Sequence, residues 1–187
     1  MSLDAPHLAG NVDATGMRIG LIVSRFNEDI TEALLEGARQ ALLEHGAVEG
    51  DLHVVHVPGA LEIGTIAARM ASTGGYDAIV CLGCVIRGGT AHFDHVCRVS
   101  MDMIAAIAAR GDLGVGNGVL TVDTHAQAVD RVGGAHGHKG AEAALTAIEV
   151  ASLLKQLPAG EGKHRYRPRP PDASLHAAAS RSRNALR

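Results

Sequence analysis

From residue 17 onward the hydrophobic positions alternate between two periods. Arg18–Val23 carries the apolar run Ile-Gly-Leu-Ile-Val, the pattern of a strand buried on both faces. Ile30, Ala33, Leu34, Gly37, Ala38, Ala41 and Leu42 then recur at helical spacing. Asn27 reads as the N-cap of this helix, Glu28 and Asp29 as acids suited to its positive end, and Gly46 as its stop. Leu52–Val57 predicts a second strand closed by Pro58-Gly59, and Ile63, Ile66, Ala67 and Met70 mark a second helix ending near Gly74-Gly75. Tyr76–Leu82 predicts a third strand, residues from about 92 to 109 a third helix, and Val115–Val122 a fourth strand. A short helix over Thr124–Val132 and a longer one over Lys139–Leu157 complete the pattern.

Strands alternating with helices form a parallel sheet covered on both faces. The expected fold is a three-layer α/β sandwich with a four-stranded parallel sheet, flavodoxin-like, over residues 17–157. Residues 1–16 read as an N-terminal extension and residues 158–187 as a tail. The last helix is Ala-rich nearly all round (Ala141, Ala143, Ala144, Ala147, Ala151), which fits either a subunit interface or a helix buried within one protomer.

Charge separates the tail from the rest. The chain of 187 residues has a formal net charge of −3, yet residues 1–157 sum to −8 and residues 158–187 to +5. The tail, rich in Pro, Arg, Ala and Ser without an apolar period, reads as a disordered, solvated extension. Two Phe, two Tyr and no Trp argue against base-stacking nucleic-acid modules. No apolar stretch approaches a membrane span, and the opening MSLDAPHLAG has neither the basic start nor the apolar run of a secretory signal. Three Cys give no even disulfide framework, so a cytoplasmic location is expected.

The chemistry-bearing residues cluster where strands end, which is where ligands bind in open parallel sheets. Ser24-Arg-Phe-Asn27 follows the first strand, Pro58-Gly-Ala-Leu-Glu62 the second, and Cys84-Val-Ile-Arg-Gly-Gly-Thr-Ala-His-Phe-Asp94 the third. Gly88-Gly89-Thr90 directly precedes a helix, with Arg87 beside it; such a turn lets free N–H groups approach an anion, and Thr90 offers a cap or a hydroxyl. His92, in the first turn of that helix, suits general acid–base work; Asp94 reads as a helix-start charge. Phe26 is one of few rings able to stack on a planar ligand, and Glu62 sits where the second helix begins. Arg131 and Lys139 flank a Gly- and His-rich link and are candidates for completing an anion site. Cys81-Leu-Gly-Cys84 matches C-x-x-C, but residues three apart in a strand point to opposite faces unless the strand ends between them. No metal site is expected there or at His136 and His138, which lack further ligands.

Together these segments resemble the lumazine synthase family. The matching stretches are Arg25-Phe-Asn27, Val57-Pro-Gly-Ala-Leu-Glu-Ile63, Gly83 through Asp94, Gly118-Val-Leu-Thr121 with Gln127-Ala128 and Arg131, and Lys139-Gly140 through Glu149, in family order over about residues 17–155. The resemblance implies a cofactor-free transferase of the penultimate step of riboflavin biosynthesis. It joins 5-amino-6-(D-ribitylamino)uracil to 3,4-dihydroxy-2-butanone 4-phosphate, giving 6,7-dimethyl-8-ribityllumazine, phosphate and water. It further implies that Phe26 stacks on the pyrimidine, Ala60, Leu61 and Glu62 hold the ribityl side, and Cys84, Val85 and Ile86 hold the ring edge. Gly89, Thr90 and Arg131 would bind phosphate, His92 would transfer protons and Lys139 would approach the ribityl hydroxyls.

The family's site lies between adjacent subunits of a homopentamer, with Asn117 and Arg131 coming from the neighbour, and a functional link to riboflavin synthase is expected. The link between Arg131 and Lys139 shows no obvious insertion, a feature that in this family permits 60-subunit shells. Three departures stand out: Asn117 replaces a common aromatic ring, Gly64 replaces a common Pro and is expected to matter only to the backbone, and the basic tail has no usual counterpart. Asn117 and the tail motivate an alternative, a catalytically weak paralogue that binds flavin-like ligands or serves as an assembly scaffold. A receiver-like signalling domain needs an acceptor Asp at the end of the third strand, where Leu82-Gly83-Cys84 offers none.

Overall fold

A computed structural model describes residues 7–157; the basic tail and residues 1–6 lie outside the described residues. The elements run β1 (Ile19–Ser24), α1 (Glu28–Glu44), β2 (Leu52–Val57), α2 (Ala60–Ser72), β3 (Ala78–Ile86), α3 (His92–Ala108), β4 (Gly114–Val122), α4 (His125–Val129), β5 (Val132–Gly134), β6 (Gly137–His138) and α5 (Lys139–Gln156). The main sheet has the order β2-β1-β3-β4, and all three pairings are parallel. One core cluster packs Leu21, Val23, Val80 and Leu82 beneath α1 and α5; another packs Ile22, Ile79 and Cys81 against α2 and α3. This is the three-layer sandwich expected from the alternating periods.

Every residue of β1 is buried, as its unbroken apolar run requires of a central strand. The edge strand β2 is buried only at its ends. The segment before β1 docks rather than trails: Asn11 N–H donates to Ser152 Oγ at 2.8 Å, Ala14 N–H to the His45 carbonyl at 2.8 Å, and Ala14 is fully buried. No helix among the described residues is long and apolar enough to cross a membrane.

The structure differs from the sequence expectation at several points. The third strand continues past Leu82 to Ile86, because its ladder with β4 runs without a break to Ile86 opposite Val122. Cys81 and Cys84 therefore fall in opposite core clusters, and burial pushes their thiols up to about 12 and about 11. The negative charge of Asp29 adds to the effect at Cys84. The link between Val132 and His138 is a small antiparallel hairpin, β5–β6, turning at residues 135–136, with Gly133 (φ 111°) at a register irregularity of β5 and Gly137 (φ 73°) opening β6. Gly64 is more than a backbone substitution: a Cβ there would meet Met103 Cβ at 2.5 Å, so the glycine sets how closely α2 and α3 approach.

The Ala-rich α5 has an explanation within one chain. Ala143, Ala144, Ala147 and Ala151 are buried against the sheet, and a Cβ at Gly114 or Gly116 would run into the carbonyl oxygens of Ala147 or Ala143. Small residues on both sides let the helix backbone rest directly on β4. Gly116→Ala is therefore expected to destabilise the fold by about 3 kcal/mol through overpacking. Glycine in a strand ordinarily weakens it, so this sign is diagnostic. A urea midpoint unchanged or raised by the substitution would contradict the packing described.

Candidate functional site

The order β2-β1-β3-β4 makes the chain leave β1 in one direction and enter β3 in the other, opening a crevice at the carboxyl ends of β1 and β3. A cavity of about 280 Å³ occupies that end of the sheet. Phe26 contributes from the β1–α1 turn, Gly59 through Glu62 from the start of α2, and Cys84, Val85 and Ile86 from the end of β3. Gly88 and Thr90 from the following turn, with His92, Phe93 and Val96 of α3, complete the lining. Three segments remote in sequence are thus brought to one place.

The β1–α1 turn is held differently from the expected side-chain cap. Asn27 adopts left-handed backbone angles (φ 61°, ψ 52°), a region asparagine tolerates better than most residues, and makes no side-chain cap bond. Its amide nitrogen instead donates to the Cys84 carbonyl at 2.9 Å, tying the turn to the end of β3. This tie presents the neighbouring Phe26 ring at the cavity, 72% exposed and free to stack on a ligand.

The β3–α3 turn comprises residues 87–91. A Cβ at Gly88 or Gly89 would meet nothing within 4 Å, so space beside both glycines is open. The cap position falls to Ala91 without a side-chain cap bond, leaving the Thr90 hydroxyl uncommitted to that task. Arg87 Nε donates to Asp123 Oδ1 at 2.7 Å and Nη1 to Asp94 Oδ1 at 3.2 Å, while the guanidinium sits 4.1 Å from the Phe93 ring centroid. These carboxylates, Asp123 foremost, hold the guanidinium protonated even more firmly than usual. Asp94, expected only as a helix-start charge, is thus also an ion-pair partner.

Of the residues singled out in the sequence, Phe26, Ala60, Leu61, Glu62, Cys84, Val85, Ile86, Thr90 and His92 line the cavity; Gly89 lies between two lining residues. Asn117, Arg131 and Lys139 do not line it. Asn117, on the edge strand β4, donates to Met101 Sδ at 3.0 Å and accepts the Val119 N–H at 3.1 Å. Arg131 Nη1 donates to the Gln127 carbonyl at 2.8 Å, and Lys139 pairs with Glu142 at 2.7 Å. The Lys139 N–H donates to the Arg131 carbonyl at 2.8 Å, so these two cations share the base of the β5–β6 hairpin. Gly59 and Phe93, which lie in the segments singled out at the strand ends, also line the cavity, as does Val96, which was not singled out; Val96 follows His92 by four residues, the spacing that puts both on one helix face. Among the described residues, no three His, Cys, Asp or Glu side chains gather as a metal site would need.

What the cavity offers is an exposed ring, a helix start carrying a carboxylate, and a glycine turn followed by a hydroxyl and an imidazole. Such a set can stack a planar molecule, hydrogen-bond polyol groups and approach an anion beside a proton-transfer group. A family model described as 6,7-dimethyl-8-ribityllumazine synthase matches residues 16–155, which takes in all of these segments and the whole main sheet. The chain belongs to the 6,7-dimethyl-8-ribityllumazine synthase family, whose members are transferases of riboflavin biosynthesis.

Proposed function

We propose that this chain condenses 5-amino-6-(D-ribitylamino)uracil with 3,4-dihydroxy-2-butanone 4-phosphate to give 6,7-dimethyl-8-ribityllumazine. The observation that carries the reading is the convergence of Phe26, the start of α2 and the Gly88–His92 segment on one cavity at the carboxyl end of the sheet. In this reading Phe26 stacks on the pyrimidine, Ala60, Leu61 and Glu62 hold the ribityl chain, and Cys84, Val85 and Ile86 border the ring edge. Gly89 and Thr90 bind the phosphate. His92 moves protons as the primary amine attacks the ketone, one water leaves to form an imine, phosphate is eliminated, and the secondary ribitylamino nitrogen then attacks the remaining carbonyl, closing the ring with loss of another water and a proton. Aligning two flexible polar substrates supplies most of the acceleration.

Arg131, Lys139 and Asn117 do not line the cavity of their own protomer, and in this reading a second copy of the chain brings Arg131 and Asn117 to it. The reading therefore includes a homo-oligomer, a pentamer in the family's manner, with sites between neighbours. Arg131 grips the phosphate from the neighbouring subunit, and Lys139 approaches the ribityl hydroxyls. Asn117, whose amide is engaged with Met101 and Val119, offers a polar edge where a ring would stack. A steady-state assay with both substrates, following lumazine absorbance, tests the activity. Sustained product formation with release of one phosphate per lumazine is expected; tight flavin binding without turnover would favour the paralogue that Asn117 motivates.

A further inference from the structure

We propose that Arg87 is a positioning residue, stapling the glycine turn before α3 into its ligand-binding shape through Asp94, Asp123 and Phe93; this rests on the functional reading above. The turn over residues 87–91 contains two adjacent glycines with open space beside them, so it has the freedom to adopt many shapes. Its two ends are nevertheless joined by one side chain. Arg87 begins the turn, its N–H donating to the Val122 carbonyl at 2.9 Å. Its guanidinium folds over the Phe93 ring and reaches Asp94, both in the first turn of α3, and simultaneously bonds Asp123 just beyond β4. The span between those ends holds Gly89 and Thr90, and His92 lies within it as the first residue of α3.

The arrangement distinguishes holding the turn from binding the anion directly. Arg87 is paired with two carboxylates, so its charge is already answered, whereas a phosphate ligand profits from an unpaired cation. The side chains of Arg87, Asp94 and Asp123 are 46%, 63% and 64% exposed, and ion pairs that exposed contribute little to global stability. Their effect is local: they restrict the glycine turn before substrate arrives, which lowers the ordering needed on binding. A planar fork contacting two carboxylates and a ring face is a geometry that lysine does not reproduce.

The test compares Arg87→Met, Arg87→Lys and Asp123→Ala with the wild-type protein. Arg87→Met is expected to lower kcat/KM for the phosphorylated substrate by about 10- to 100-fold, with KM for the pyrimidine within about twofold of wild type. A loss of folded protein alone would lower apparent kcat with both KM values unmoved, and that outcome would overturn the proposal. Arg87→Lys should stay close to Arg87→Met; full rescue would mean that a point charge suffices. Asp123→Ala separates the roles by sign: it raises KM for the phosphorylated substrate if Arg87 positions the turn, and lowers it if the freed guanidinium binds phosphate itself. Hydrogen exchange gives a readout independent of turnover. The amides of Asp94 and His95, which donate to the Ala91 carbonyl, should exchange about 10-fold faster in Arg87→Met. Unchanged exchange overturns the staple whatever the reaction; a wild-type protein that makes no lumazine overturns the functional reading and leaves the staple to be judged by exchange.

Discussion

His92→Ala is expected to lower turnover on the two substrates by about 10²- to 10⁴-fold, the range that a positioned general acid–base commonly supplies. His92 opens α3, lines the cavity, and stands two residues past Thr90 at the turn assigned to phosphate. Imine formation, phosphate loss and ring closure each need a proton moved, and the imidazole is the cavity's only histidine among the described lining residues. Positioning by the rest of the site persists in the variant, so residual turnover above the uncatalysed reaction is also expected. KM values should change less than kcat, because the proton-transfer role is exercised mainly in the transition states. Full turnover by His92→Ala would remove the assignment.

The second large effect belongs to Arg131. Its bond to the Gln127 carbonyl uses one N–H of the guanidinium and fixes the side chain's direction, leaving the rest of the fork for an anion. A charged hydrogen-bonding partner of phosphate contributes about 1.5–3 kcal/mol, so Arg131→Ala should raise KM for the phosphorylated substrate by roughly 10- to 150-fold. Arg131→Lys should recover only part of this, since a point charge cannot donate bidentately. The pyrimidine's KM should barely move. An effect confined to the pyrimidine would contradict the role given to this residue.

The residues behind these two predictions were legible in the sequence for different reasons. His92 and Thr90 stand beside a glycine pair at a strand-to-helix junction, a local pattern with a physical meaning of its own. Arg131 was legible only as a cation beside a Gly- and His-rich link that could complete an anion site, and its specific phosphate role came from the resemblance. The strand and helix periods revealed the layers well, because β1 is buried on both faces and the helices keep one apolar face toward the sheet. The end of β3 was misjudged because Gly83 reads as punctuation, whereas the ladder with β4 carries the strand on to Ile86. Asn27 does occupy the N-cap position of α1 as its sequence neighbours indicate, but its side-chain amide makes no cap bond and instead donates to the Cys84 carbonyl, 57 residues away. Arg87 likewise finds Asp123 across 36 residues, a pairing that no local pattern encodes. Gly64 was undervalued for the same reason, since Met103 meets it only once α2 and α3 are packed.

The most direct test of the whole reading mixes two impaired proteins. His92→Ala and Arg131→Ala subunits, each purified, are unfolded together in equal amounts, refolded, and assayed for lumazine formation. A site that takes His92 from one subunit and Arg131 from its neighbour is intact in about a quarter of random pairings, so the mixture should recover up to about a quarter of wild-type turnover. Each variant refolded alone should stay at its own low level. A mixture no more active than the average of the two variants, although it assembles to the wild-type size, would contradict a site shared between copies of this chain.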